Sequence, residues 1–134
     1  MIIFINGSIN SGKSTVAKLL ADKLSNTALL EVDCLRSFIE WMPLEQAIPI
    51  NLENTVAIIK VLIGKGLNVI VPYPLSKDNY VYLFDNLKEA SDKISVFTLS
   101  PKLEIALTNR GSRELSDWEK NRIRHHYTIG IQNP

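Results

Sequence analysis

The 134 residues fit one domain built around a single core. With 46% hydrophobic residues, 22% charged residues and a net charge of +1, the composition is that of a soluble globule with no electrostatic footprint for nucleic acid. A lone cysteine, Cys34, excludes an intramolecular disulfide and a cysteine-held metal cluster.

The apolar start, Met1 to Ile5, is too short for a secretory leader. The most apolar stretch, Val56 to Ile63, is short for a bilayer span and carries Lys60. The expected setting is therefore the cytoplasm, with no membrane or nucleic-acid partner.

Met1 to Ile5 reads as a buried strand. It leads into Gly7-Ser8-Ile9-Asn10-Ser11-Gly12-Lys13-Ser14, a complete G-x-x-x-x-G-K-S/T phosphate-binding loop. Val16, Leu19, Leu20 and Leu24 then recur at helical spacing. Strand, loop and helix in this order give the motif its meaning. Glycines let the backbone turn its N–H groups onto phosphate oxygens, and the helix adds the positive end of its dipole. Residues Gly7 to Thr15 thus form the expected triphosphate site, with Lys13 on the β- and γ-phosphates and the Ser14 hydroxyl on Mg²⁺.

Further along, Ala28 to Val32 reads as a second strand ending at Asp33. Leu35, Phe38, Ile39 and Met42 then keep helical spacing up to Pro43. A largely buried helix is expected over Leu52 to Ile63, with a stop at Gly64-Lys65-Gly66, and a third strand over Leu67 to Val71. Residues 77–91 favour helix and Ile94 to Leu99 a fourth strand. Ser100-Pro101 opens a helix closing near Gly111, and Ser116-Asp117-Trp118-Glu119 is a capping box for a last helix to about Tyr127. Alternating strands and helices predict an α/β fold with a parallel sheet.

Ligands of such sheets gather at the carboxyl ends of the strands. Glu31 and Asp33, then Tyr73 and Ser76, fall there, and Arg110 and Arg113 follow the helix after the fourth strand. This set suits phosphoryl transfer: a carboxylate takes the proton of an attacking hydroxyl, a metal bridges phosphate oxygens, and arginines neutralise the transferred charge.

Four stretches carry a resemblance: the loop Gly7 to Ser14, Glu31-Val32-Asp33, the segment Val71 to Lys77, and Arg110-Gly111-Ser112-Arg113. The chain resembles the shikimate kinase, gluconate kinase and chloramphenicol phosphotransferase group, relatives of adenylate kinase. The resemblance implies a three-layer P-loop NTPase fold with five parallel strands in the order 2-3-1-4-5; only Thr128 to Pro134 follow the last expected helix, so a four-stranded core of order 2-3-1-4 is expected, with the fifth strand missing or truncated. It also implies one kinase-like domain over 1–134 with a lid near 109–116. ATP and Mg²⁺ would be the cofactors. Lys13, Asp33, Arg110 and Arg113 would be catalytic, with Asp33 as base, and Glu31 would join Ser14 on the metal side.

The chain departs from shikimate kinases in having no arginine between Arg36 and Arg110 and in carrying Pro72-Tyr73 where they carry Gly-Gly. Phe38, Trp41, Met42 and Tyr73 lean instead toward an apolar or aromatic alcohol as small-molecule acceptor. Plainer roles compete: Asp33 as a helix cap, Arg110 and Arg113 as solvated charges, Cys34 as a small core residue, His125 and His126 as exposed helix residues. Arg36, Arg122 and Arg124 fit substrate contact and surface equally. Alternative functions are a nucleotide or nucleotide-sugar kinase, or a catalytically weak ATP-binding module. No Asn-Lys-x-Asp motif supports a GTPase, and no apolar strand ending in aspartate supports a motor ATPase. An uncovered edge at the fourth strand makes a homodimer an expectation.

Overall fold

Apolar runs of Val and Ile without a polar alternate are the mark of strands covered on both faces. The computed structural model describes residues 1–100, 107 and 116–128. Two such runs form the central strands β1 (Ile2–Asn6) and β3 (Asn68–Pro72); the edge strands are a short β2 (Thr27–Leu29) and β4 (Ile94–Thr98), in which Ser95 and Phe97 are exposed. The four strands of the described sheet are parallel, in the order β2-β3-β1-β4. The expected order 2-3-1-4 is thus observed. Residues 129–134, where a fifth strand would fall, lie outside the described residues.

The pleat of β1 sends alternate side chains to opposite faces. Ile2 and Phe4 join Val69 and Val71 under Leu52, Val56 and Ile59 of α2 (Leu44–Gly64) and Leu83 and Leu87 of α3 (Lys77–Leu87). Ile3 and Ile5 join Ile70 against Ala17, Leu20, Ala21 and Leu24 of the α1 (Lys13–Lys23) side. Helices on both faces of one sheet make three layers. Each fully buried Phe or Ile stabilises this core by roughly 1.5–3 kcal/mol.

Several elements differ from expectation. The second strand stops at Leu29, and Val32–Ile39 is a 3₁₀ helix, so Asp33 sits in its first turn rather than at a strand end. Its period of three puts Val32 and Leu35 together on the buried face. The buried stripe of α1 runs through Ala17, leaving Val16 and Leu19 exposed. Helix α2 starts at Leu44, not Leu52, and with 21 residues is long and apolar enough to cross a membrane by length and composition. Here it packs on β3 and α3, with Ala47, Leu52, Val56 and Ile59 buried. Pro49 lies inside it and removes one backbone donor. Helix α3 stops at Leu87, four residues short of expectation. Cys34 is exposed, not a core residue. The last helix, α4 (Asp117–Thr128), opens on the predicted capping box: Ser116 Oγ accepts from Glu119 N at 3.1 Å and Glu119 Oε1 accepts from Ser116 N at 3.2 Å.

Asn6, a residue the sequence reading passed over, ties the carboxyl edge of the sheet together. Its Oδ1 accepts from Gly7 N at 2.8 Å and from Leu75 N at 2.7 Å, and its Nδ2 donates to Thr98 Oγ1 at 3.4 Å. Asn6 is fully buried, so water cannot replace these partners. Asn6→Ala is expected to cost about 2 kcal/mol by orphaning two backbone donors. Thermal unfolding of the variant checks this, and an unchanged melting temperature would contradict it.

Candidate active site

Where β1 ends, the chain turns back on itself over Gly7 to Gly12. A Cβ on Gly7 would collide with the Ser11 hydroxyl and lie 3.1 Å from the Leu99 carbonyl, so only glycine fits. Asn10 and Gly12 hold left-handed backbone at φ +64° and +90°. Ser11 N donates to Ser8 O at 3.2 Å, closing the turn. The Ser11 hydroxyl is buried without a partner among the described residues.

The loop opens a groove of about 590 Å³ lined by residues 10–16, among them Lys13, Ser14 and Thr15. Helix α1 begins at Lys13 with no acidic residue in its first turn, which leaves its positive end available to an anion. Lys13 is buried and its Nζ donates to Ser8 O at 3.1 Å, held inside the loop.

Ser14 Oγ donates to Glu31 Oε2 at 3.4 Å, bringing the two expected metal-side groups together. No cluster of three His, Cys, Asp or Glu side chains occurs among the described residues.

A second cavity of about 530 Å³ abuts the loop through Ile9. The 3₁₀ helix contributes Asp33 and Arg36, the first turns of α2 contribute Leu44, Ile48 and Asn51, and the segment after β3 contributes Tyr73 and Pro74. Helix α4 closes it with Trp118, Glu119, Arg122 and His126. Arg36 is tied by its guanidinium to the Ile39 carbonyl at 2.7 Å and to that of Met42, so it braces the wall. Ser76 caps α3, accepting from Asn79 N at 3.2 Å. Burial, followed by the nearby Asp33 carboxylate, pushes the Tyr73 hydroxyl up to about 12 against the pull of Arg122. It stays protonated, a neutral hydrogen-bonding group beside Asp33.

Phe38 and Trp41, expected in the acceptor region, are 75% and 80% exposed and do not line the cavity. His126, expected on the surface, is 3% exposed. Helical spacing could have revealed it: Glu119, Arg122, Ile123 and His126 follow at intervals of three, one and three, one face of a helix. His125 and Arg124 stay exposed. Arg110 and Arg113 lie outside the described residues, as does the lid expected near 109–116.

Burial, with Arg122, Lys13 and His125 nearby, pushes His126 from 6.5 down to about 3. The folded chain therefore refuses a proton that the unfolded chain takes up below about 6.5. This contribution to stability is whole above that pH and is lost as pH falls toward 3. Between pH 7 and pH 5 the loss is expected to be about 2 kcal/mol. Unfolding measured across that window should slope less in His126→Phe; parallel slopes would contradict the assignment.

By sequence, no family model and no curated protein matches the chain. Its likeness is structural. It superposes on a chain of the Pnkp1/Rnl/Hen1 RNA repair complex with a TM-score of 0.76 at 18% identity, covering 96% of this chain and 43% of that one. It superposes on the Deinococcus radiodurans tunicamycin resistance protein with a TM-score of 0.64 at 20% identity, covering 98% and 88%. A sugar kinase from Janibacter gives 0.66 at 18% identity, covering 92% and 75%. The chain spans less than half the length of the RNA repair chain it resembles. At these identities the likeness is one of fold alone: a parallel α/β sheet flanked by helices, shared with these proteins.

Proposed function

We propose that the chain is an ATP- and Mg²⁺-dependent phosphotransferase acting in the cytoplasm on a hydroxyl of a small molecule. One observation carries the reading: the loop lines a groove of about 590 Å³ on one side and, through Ile9, meets a second cavity of about 530 Å³ that Asp33 lines. The resemblance in fold to a sugar kinase supports it.

In this reading ATP brings the transferable phosphoryl group, and Mg²⁺ offsets charge on its phosphate oxygens. Residues Gly7 to Thr15 bind the triphosphate through backbone N–H groups. Lys13 offers its ammonium to the β- and γ-oxygens, and Ser14 with Glu31 supplies the protein oxygens beside the metal. Asp33 accepts the acceptor's hydroxyl proton as that oxygen bonds to the γ-phosphorus. The bond from the γ-phosphorus to the β-phosphate oxygen breaks, and ADP leaves with the electron pair. Tyr73, protonated and buried beside Asp33, orients the reacting hydroxyl. Arg110 and Arg113 are proposed to complete the charge clamp.

The test is ADP release from ATP and Mg²⁺ over a panel of alcohols, sugars, nucleosides and antibiotics. Acceptor-dependent release that disappears in Asp33→Asn is expected. Release independent of every acceptor would sink the reading.

A further inference from the structure

Asn51 Oδ1 and His126 Nδ1 are buried and have no hydrogen-bond partner among the described residues. Asn51 is 4% exposed and His126 3%, and both line the cavity of about 530 Å³. They come from different helices, α2 and α4. A buried polar atom left unpaired costs about 1–3 kcal/mol, so two such atoms on one cavity, without a partner among the described residues, mark where a ligand's polar groups would be stabilised.

We propose that Asn51 and His126 are the specificity-determining pair of the acceptor cavity, reading the non-reacting hydroxyls of an uncharged, polyhydroxylated acceptor. The proposal rests on the phosphotransferase reading above and names the class of its acceptor.

Three physical arguments lead to that class. An apolar alcohol would seal both atoms away from any partner and keep the full cost. An anion would meet the Asp33 carboxylate, and a cation the Arg122 guanidinium. Across the lining the charges cancel, Asp33 and Glu119 against Arg36 and Arg122. A hydroxyl both donates and accepts, so it satisfies either end of the Asn51 amide and either tautomer of His126. Ile9, Leu44, Ile48 and Pro74 remain for the carbon face of such a molecule.

Two measurements test this on the full chain. In the first, Asn51→Leu and His126→Phe exchange an unpaired polar group for an apolar one of similar size. Each is expected to raise the ligand-free melting temperature by about 3–5 °C at pH 7. A fall in both would mark them as structural residues and overturn the proposal.

In the second, the imidazole ¹⁵N signals of His126 are followed while neutral sugars, polyols and nucleosides are added, against sugar acids and amino sugars of matching carbon frame. A shift with an uncharged member is expected, and Asn51→Leu should weaken that member's binding about tenfold. Shifts with charged members alone, or with none, would overturn the pair's role. ATP binding to the same samples is recorded separately. If ATP binds and no uncharged compound does, this inference fails while the kinase reading stands. If an uncharged compound binds and ATP does not, the reverse holds.

Discussion

Lys13→Met is expected to weaken ATP binding about a hundredfold while leaving the protein folded. The ammonium is the one full positive charge among the residues lining the phosphate groove. Hydrogen bonds to a charged group contribute roughly 1.5–3 kcal/mol, and two phosphates share this one. The structural loss is smaller. The Ser8 carbonyl that accepts from Lys13 Nζ also accepts from Ser11 N at 3.2 Å, so it keeps a partner. Methionine preserves the buried stem. Calorimetry with ATP and Mg²⁺ reads the affinity, and a melting curve reads the fold. Unchanged affinity in a folded variant would mean that the loop is not a triphosphate site.

The larger effect belongs to Asp33. Asp33→Asn should lower phosphoryl transfer by about 10²–10⁴ with ATP affinity nearly constant. The amide retains the shape of the side chain and loses only the proton acceptor. Asp33 is exposed to the cavity, and the 3₁₀ helix takes Glu31 as its cap residue with no side-chain capping bond. Little stability therefore depends on the carboxylate. Single-turnover kinetics separate the chemical step from binding. Transfer at the parental rate would leave Asp33 as a bystander on the cavity wall.

The parts of this site that are local in sequence are the parts legible in it. Gly7 to Ser14 is a contiguous motif, and its neighbours Ile2 to Ile5 and Ala17 to Leu24 announce strand and helix by their own periodicity. The placing of Glu31 on the metal side with Ser14, and the strand order, come from the resemblance to the kinase group, since neither follows from local periodicity; Glu31 itself lies two residues beyond the end of β2.

The acceptor cavity was not legible, since it is assembled from five segments spread along the chain, from Ile9 to His126. Asn51 lies in the first turns of α2, ahead of the Leu52 start expected from the sequence, where Pro43 and Pro49 interrupt the helical pattern. Phe38 and Trp41, expected near the acceptor for their aromatic side chains, are exposed: Phe38 lies off the buried Val32–Leu35 face of the 3₁₀ helix, and Trp41 follows the end of that helix. Asn6 was hidden by its setting: at the end of an apolar strand it reads as a boundary, and only the fold brings Leu75 and Thr98 to it.

The most direct test of ATP-dependent phosphoryl transfer to a hydroxyl is ³¹P spectroscopy of the protein incubated with ATP, Mg²⁺ and the acceptor panel. A phosphomonoester signal should grow as the γ-phosphate signal decays, and should be absent in Lys13→Met and Asp33→Asn. ATP that binds yet yields only orthophosphate, with no ester from any acceptor, would contradict the account.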